Sequence, residues 1–196
     1  MWGMTGSCEQ PREDPAAAAA FPRIRRTVLV LPAGESSARD AAAYRTLDLA
    51  LAVPPLILLS PVLLVIAVAI RIDSAGPPLI GQPRVGLDFE PFRLLAFRTR
   101  SGGRTTRVGA ALTRRGLHRL PSLMNVIRGE MSIVGPPPVR PGELERVHGH
   151  ALERFAVRPG LVCPASSEDP EASCLQYVRR RSLRLNLSTC AHRLAR

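Results

Sequence analysis

The chain has 196 residues and a formal net charge of +11, with 27 basic residues, every one of them arginine. Its 4% aromatic content leaves few rings for stacking on bases, and one long uncharged run does not suit a soluble binder, so the charge argues for a surface other than nucleic acid. Four cysteines (Cys8, Cys163, Cys174 and Cys190) show no CxxC spacing and are expected to be free thiols in a cytoplasmic domain.

Residues 1–40 are rich in Pro, Ala, Gly and Ser with mixed charge, the composition of a disordered segment. The run Thr27 to Leu31 could be a short strand, stopped by Pro32 and Gly34. The alanines at 16–20 follow acidic rather than basic residues, so they do not read as a signal peptide. A helix is expected from Ala41, with Asp40 as its N-cap.

Residues 49–70 read LALAVPPLILLSPVLLVIAVAI, a 22-residue run between Asp48 and Arg71 without a charge. A straight helix of that length is about 33 Å long and matches the hydrocarbon thickness of a bilayer. It is apolar on every face, unlike a core helix with one buried stripe. Pro54, Pro55 and Pro61 each remove a backbone donor. Pro61 lies near the middle, after Ser60, whose hydroxyl can bond a freed carbonyl. Two topologies fit: a kinked single span, or a re-entrant helix that bends at Ser60-Pro61 and returns. Arginines balance acids before Leu49, and the whole positive excess follows Ile70, which places the C-terminal part in the cytoplasm by the positive-inside rule. Arginines also precede the run, so the basic flanks suit the re-entrant form at least as well.

Beyond Ser74–Pro78, a turn cluster, Pro78 to Val85 and Phe89 to Phe97 read as extended pieces able to pair as a hairpin around Gly86-Leu87-Asp88. Arg84, Arg93, Arg98 and Arg100 stud this region; such residues serve as a headgroup-facing surface or hold phosphates. Residues 101–107 read as a polar loop, and Gly102-Gly103 is too isolated to mark a phosphate loop. A helix is expected over Val108 to Leu120. Pro121 opens another that ends at Gly129. Glu143 to Phe155 reads as an amphipathic helix with Leu144, Val147, Leu152 and Phe155 on one side. His148 and His150 lack a third ligand and read as surface residues. From Gln176 the chain is a basic amphipathic tail of the sort that lies on anionic lipid.

Four motifs follow the Ser-Pro segment in order: QPRVG, PFRLLAFRT, LPSLMNVIRGEMSIVGPPPV and RFAVRPGL. With LLSPVLLVIAVAIRIDSAGP they resemble the bacterial sugar transferases, the monotopic polyprenyl-phosphate phosphoglycosyl transferases, over about residues 44–162 and more weakly 177–187. The resemblance implies a helix-rich α/β, membrane-associated protein. It has a membrane helix at 41–72, broken at Ser60-Pro61, and a small cytoplasmic domain at 73–196 with the basic tail, on the bacterial cytoplasmic membrane. It implies transfer of a sugar-1-phosphate from a nucleotide-sugar to polyprenyl phosphate, with Mg²⁺, through an Asp nucleophile in an Asp-Glu pair.

The family's Leu-Asp-Glu-Leu-Pro stands here as Leu117-His118-Arg119-Leu120-Pro121. Arginine has no lone pair for a metal, so Mg²⁺ is not expected to bind, and Glu130 is the nearest remaining carboxylate. Gly81, Ala96, Ser122 and Pro137 also replace polar or charged family residues, and the family's glycine- and glutamine-bearing motif after Cys163 is missing. Arg84 and Arg98 remain as candidate phosphate-binding residues. The expected partners are membrane lipid and, by the resemblance, polyprenyl phosphate and nucleotide-sugar. Two readings stay open: a membrane-bound sugar-phosphate transferase, active or degenerate, and a non-catalytic membrane protein that binds these ligands or a partner enzyme.

Overall fold

The computed structural model describes residues 38–163 and 170–179. The expected disordered segment up to residue 37, the run Thr27–Leu31, and the basic tail past Arg179 lie outside the described residues.

Helix α1 spans Ala38–Asp73. It begins three residues earlier than the Asp40 cap predicts. It also continues through Ser60-Pro61, so the proline interrupts the backbone ladder without ending the helix. Pro61 has no N–H for the Ile57 carbonyl, and the Ser60 hydroxyl donates to that carbonyl instead, at 2.8 Å. The helix is long and apolar enough to cross a membrane, and 11% of its most apolar window is buried. A core helix of a soluble protein would be mostly covered. Here Leu58 is 79% exposed and Val65 68%.

Both ends of α1 are held by the same small domain. Near the start, Arg45 donates to the carbonyls of Val126 and Ile127. Buried Asp48 accepts from the Ser132 hydroxyl at 2.8 Å and the Ile133 N–H at 2.9 Å. Ala52 packs with Val126 and Met131. Near the end, Ile70 packs with Phe97 and Leu112. Asp73 accepts from the Val108 N–H at 3.1 Å.

The domain begins with the expected hairpin. Strands β1 (Leu79–Val85) and β2 (Pro91–Phe97) pair antiparallel, with Leu79 opposite Phe97 and Val85 opposite Pro91. The turn holds Asp88 and Phe89 at positive φ, 51° and 62°. Side chains rarely accept that conformation, and packing holds it: Phe89 is buried with its ring 4.2 Å from that of Phe155. The expected loop at 101–107 is partly a tight hairpin, β3 (Arg100–Ser101) and β4 (Arg104–Thr105). Gly102 and Gly103 supply the two positive φ angles that such a turn needs.

Helix α2 (Arg107–Arg114) is capped by Thr106, whose hydroxyl accepts from the Gly109 N–H. It is shorter than expected because Gly116 turns the chain left-handed (φ 70°), and Leu117–Ser122 follows as a 3-10 helix. Helix α3 (Leu123–Arg128) ends at Gly129 (φ 85°), as its sequence predicts. Strand β5 (Ser132–Val134) then pairs in parallel with β6 (Gly160–Val162). The single helix expected over Glu143 to Phe155 is instead two 3-10 helices, Pro141–Arg146 and Gly149–Ala156. Val147 and His148 are extended, which breaks the ladder, yet Leu144 and Phe155 are buried as their pattern predicts.

Helix α4 (Pro170–Arg179) packs back on the second of these 3-10 helices, and the Tyr177 hydroxyl donates to the Val134 carbonyl. The fold-back brings Cys174 to Cys163, and the two form a disulfide. The expectation of free thiols therefore fails for this pair. Spacing along the chain did not reveal an approach that depends on where α4 docks.

Candidate functional site

The QPRVG motif is the inner end of β1. Within it Val85 makes an antiparallel bridge with Val139, donating its N–H to the Val139 carbonyl at 2.9 Å. The triple proline after β5 thus delivers Val139 and Arg140 to the edge of the hairpin. Arg84 precedes one bridging residue and Arg140 follows the other, so the bridge brings these two segments side by side.

Arg84 is half-buried. One terminal nitrogen donates to Gln82 Oε1 at 3.1 Å, and its buried Nε has no partner. Burial holds its pKa below the ordinary arginine value, and the Arg140 charge pushes the same way. Glu143 opposes, and Arg119 adds a further lowering push. Glu143 is already engaged: it lies 3.8 Å from the Arg140 guanidinium and accepts from the Arg140 N–H.

His118 and Arg119 lie on the 3-10 helix that packs on β2. His118 is partly buried, and its Nδ1 is buried without a partner. Arg119 is exposed, with its charge acting on Arg84.

Arg98 is placed differently. Its terminal nitrogens donate to the Ser74 and Ala75 carbonyls and to the Ser74 hydroxyl, at 2.7–2.9 Å, clamping the turn after α1. Glu130 accepts from Asn125 Nδ2 at 2.6 Å. Asn125 is fully buried; it also donates to the Arg93 carbonyl and accepts from the Leu95 N–H, stapling α3 to β2. Ser60 and Pro61 lie in the exposed middle of α1.

Of the side chains here, Arg119 offers a magnesium ion no lone pair, and Glu130 already accepts from the Asn125 amide.

Sequence reasoning missed Arg140. Its signal was local: Arg140-Pro141 with Glu143 three residues on reads as a helix start, but only the bridge to Val85 brings it to Arg84.

Comparison with known proteins finds relatives of this chain. A profile of the bacterial sugar transferase family matches residues 39–193. An undecaprenyl-phosphate glucose phosphotransferase of Komagataeibacter xylinus is 36% identical, over 62% of this chain and 27% of the relative. A UDP-glucose:undecaprenyl-phosphate glucose-1-phosphate transferase of Caulobacter vibrioides is 37% identical, over 60% of this chain and 50% of its own length. The exopolysaccharide production protein ExoY of Rhizobium meliloti is 33% identical, over 61% of this chain and 66% of the relative. The chain thus spans between about a quarter and two thirds of these relatives. The match runs through α1, the hairpin, the 3-10 helix and the β5–β6 pair, and on this ground the chain belongs to the bacterial sugar transferase family.

Proposed function

We propose that this chain is a membrane-bound sugar transferase homologue that keeps the family's scaffold and ligand chemistry and has lost most or all transfer activity. The ligands carried over from the relatives are undecaprenyl phosphate and a UDP-sugar. The observation that carries the reading is the pair His118-Arg119, where the family has an Asp nucleophile and a Glu. Arg119 acts on Arg84 as a second positive charge, the opposite of what a carboxylate beside a metal supplies. His118 is the one remaining candidate nucleophile there, with a buried Nδ1. The surviving features are scaffold: the Asn125 staple, the Asp48 anchor and the glycines of β5–β6.

In the proposed topology α1 enters and leaves the cytoplasmic leaflet on the same side. Its support is that Arg45, Asp48 and Ala52 at one end, and Ile70 and Asp73 at the other, all bond or pack to one domain. A straight span would put these two ends on opposite faces of the bilayer. The domain then lies on the cytoplasmic side, where the positive excess belongs.

The test is nucleoside monophosphate release from several nucleotide-sugars by membranes carrying the natural chain or His118→Asp/Arg119→Glu. The natural chain is expected at background, because losing a covalent nucleophile removes several orders of magnitude in rate. The double variant is expected to recover part of the activity. Robust release by the natural chain, abolished by His118→Ala, would overturn the reading and make His118 the nucleophile.

A further inference from the structure

We propose that Cys163 and Cys174 form a reversible thiol-oxidation site, closed to the disulfide by a peroxide and reopened by a cellular dithiol, and that its state sets how firmly α4 is docked. The proposal rests on the cytoplasmic placement of the domain argued above. It does not depend on whether the chain transfers sugar phosphate.

Three observations converge on it. The first is a conflict between bond and compartment. The cytoplasm keeps thiols reduced, and the disulfides that form there are mostly transient, serving catalysis or redox sensing. A disulfide between Cys163 and Cys174 on that side of the membrane is one that its surroundings work to open. The second is asymmetry. Cys163 is partly exposed, whereas Cys174 is 4% exposed. An accessible sulfur beside a covered one is the arrangement of an attacking thiol and the thiol that resolves it.

The third is what the bond joins. Cys163 directly follows β6, which is fixed by its parallel pairing with β5 and by the Gly135 N–H donating to the Val162 carbonyl at 3.0 Å. Cys174 lies on α4, whose ten residues are too few for a helix to persist alone in water. Helix α4 keeps its form by docking, on the 3-10 helix Gly149–Ala156 and through the Tyr177 hydroxyl, which donates to the Val134 carbonyl at 3.1 Å. The disulfide thus ties a dependent element to a fixed strand. With a sequence separation of 11, it restricts the undocked chain enough to disfavour opening by about a hundredfold.

The chemistry balances with a peroxide as oxidant. The Cys163 thiolate attacks one peroxide oxygen, the O–O bond breaks, and hydroxide leaves a sulfenic acid behind. The Cys174 sulfur then attacks the Cys163 sulfur, the S–S bond forms, and water leaves. Two electrons pass from the pair to the peroxide. In the return step a dithiol supplies two electrons and two protons, and itself becomes a disulfide.

The test has two arms. In cells, acid quenching followed by a maleimide polymer counts free thiols, in a Cys8→Ser/Cys190→Ser chain so that only the pair is counted. Two adducts are expected in unstressed cells, none after millimolar hydrogen peroxide, and two again after its removal. In detergent, amide hydrogen exchange compares the natural chain before and after reduction. Exchange across residues 170–179 should quicken by about a hundredfold on reduction, while the β1–β2 hairpin stays within about twofold. Cys163→Ser/Cys174→Ser should exchange like the reduced chain in either buffer. A pair that stays reduced under peroxide, or equal exchange of α4 in both states, would overturn the proposal. So would a pair that is oxidised in unstressed cells. If the domain is then also reached by reagents from outside, the cytoplasmic placement fails with it; if the domain is protected, the switch alone fails.

Discussion

Gly135 and Gly160 show why single residues recur in the motifs of this chain. A Cβ on Gly160 would lie 2.1 Å from the Gly135 nitrogen, and one on Gly135 would lie 2.6 Å from the Arg158 carbonyl oxygen. Both contacts are with backbone, which cannot swing away. Gly160→Ala should therefore destabilise the domain by about 3 kcal/mol, the upper range for overpacking, read as a lower denaturation midpoint. Asn125 is the polar counterpart. Its amide satisfies the Arg93 carbonyl and the Leu95 N–H in a buried setting. Asn125→Ala leaves both without that partner and should cost about 2–3 kcal/mol in the same measurement. An unchanged midpoint in this variant would mean that the staple contributes nothing.

At the scale of elements, α1 departs most from ordinary rules. Three prolines sit inside it, and the ladder at Pro61 is mended by one hydroxyl. Pro61→Leu restores the missing donor, so the segment should shift towards a straight span. Cysteines placed near residues 41 and 75 report this by labelling in intact cells. Both positions are expected to be protected in the natural chain, and the one near 41 should become accessible in the variant. Labelling near 41 from outside in the natural chain would establish a span from the start. Asp48 ties the entering half of α1 to β5 through Ser132 and Ile133. Asp48→Ala should loosen that half and speed its proteolysis in detergent, with α2 unaffected.

For the whole molecule, the balance of forces favours the bilayer. The middle of α1 presents Ile57, Leu58, Val62, Leu64, Val65 and Val68 as exposed apolar side chains. At about 25 cal/mol per Å² their burial in lipid outweighs the roughly 1 kcal/mol that each arginine gains near an anionic surface. The protein should stay with membranes after high-salt and carbonate washing. Release by either wash would show that arginines, rather than α1, hold it there.

Much of this molecule was legible from composition and local pattern. Uniform apolarity over 22 residues announced α1, period and turn residues announced the β1–β2 hairpin, and Gly129 announced the end of α3. These are local effects, decided by residues within a few positions of one another. The pairing of Cys163 with Cys174, the split of residues 141–156 into two 3-10 helices, and the clamp of Arg98 on Ser74 and Ala75 were not legible. Nor was the bridge from Val85 to Val139, which joins distant segments just beyond the triple proline. By itself the sequence determined which side chains this chain has for its chemistry, His118 and Arg119 among them. Tertiary structure alone decided which of them share a neighbourhood, because electrostatic coupling depends on distance in space and the chain reaches that distance only when its distant segments pack.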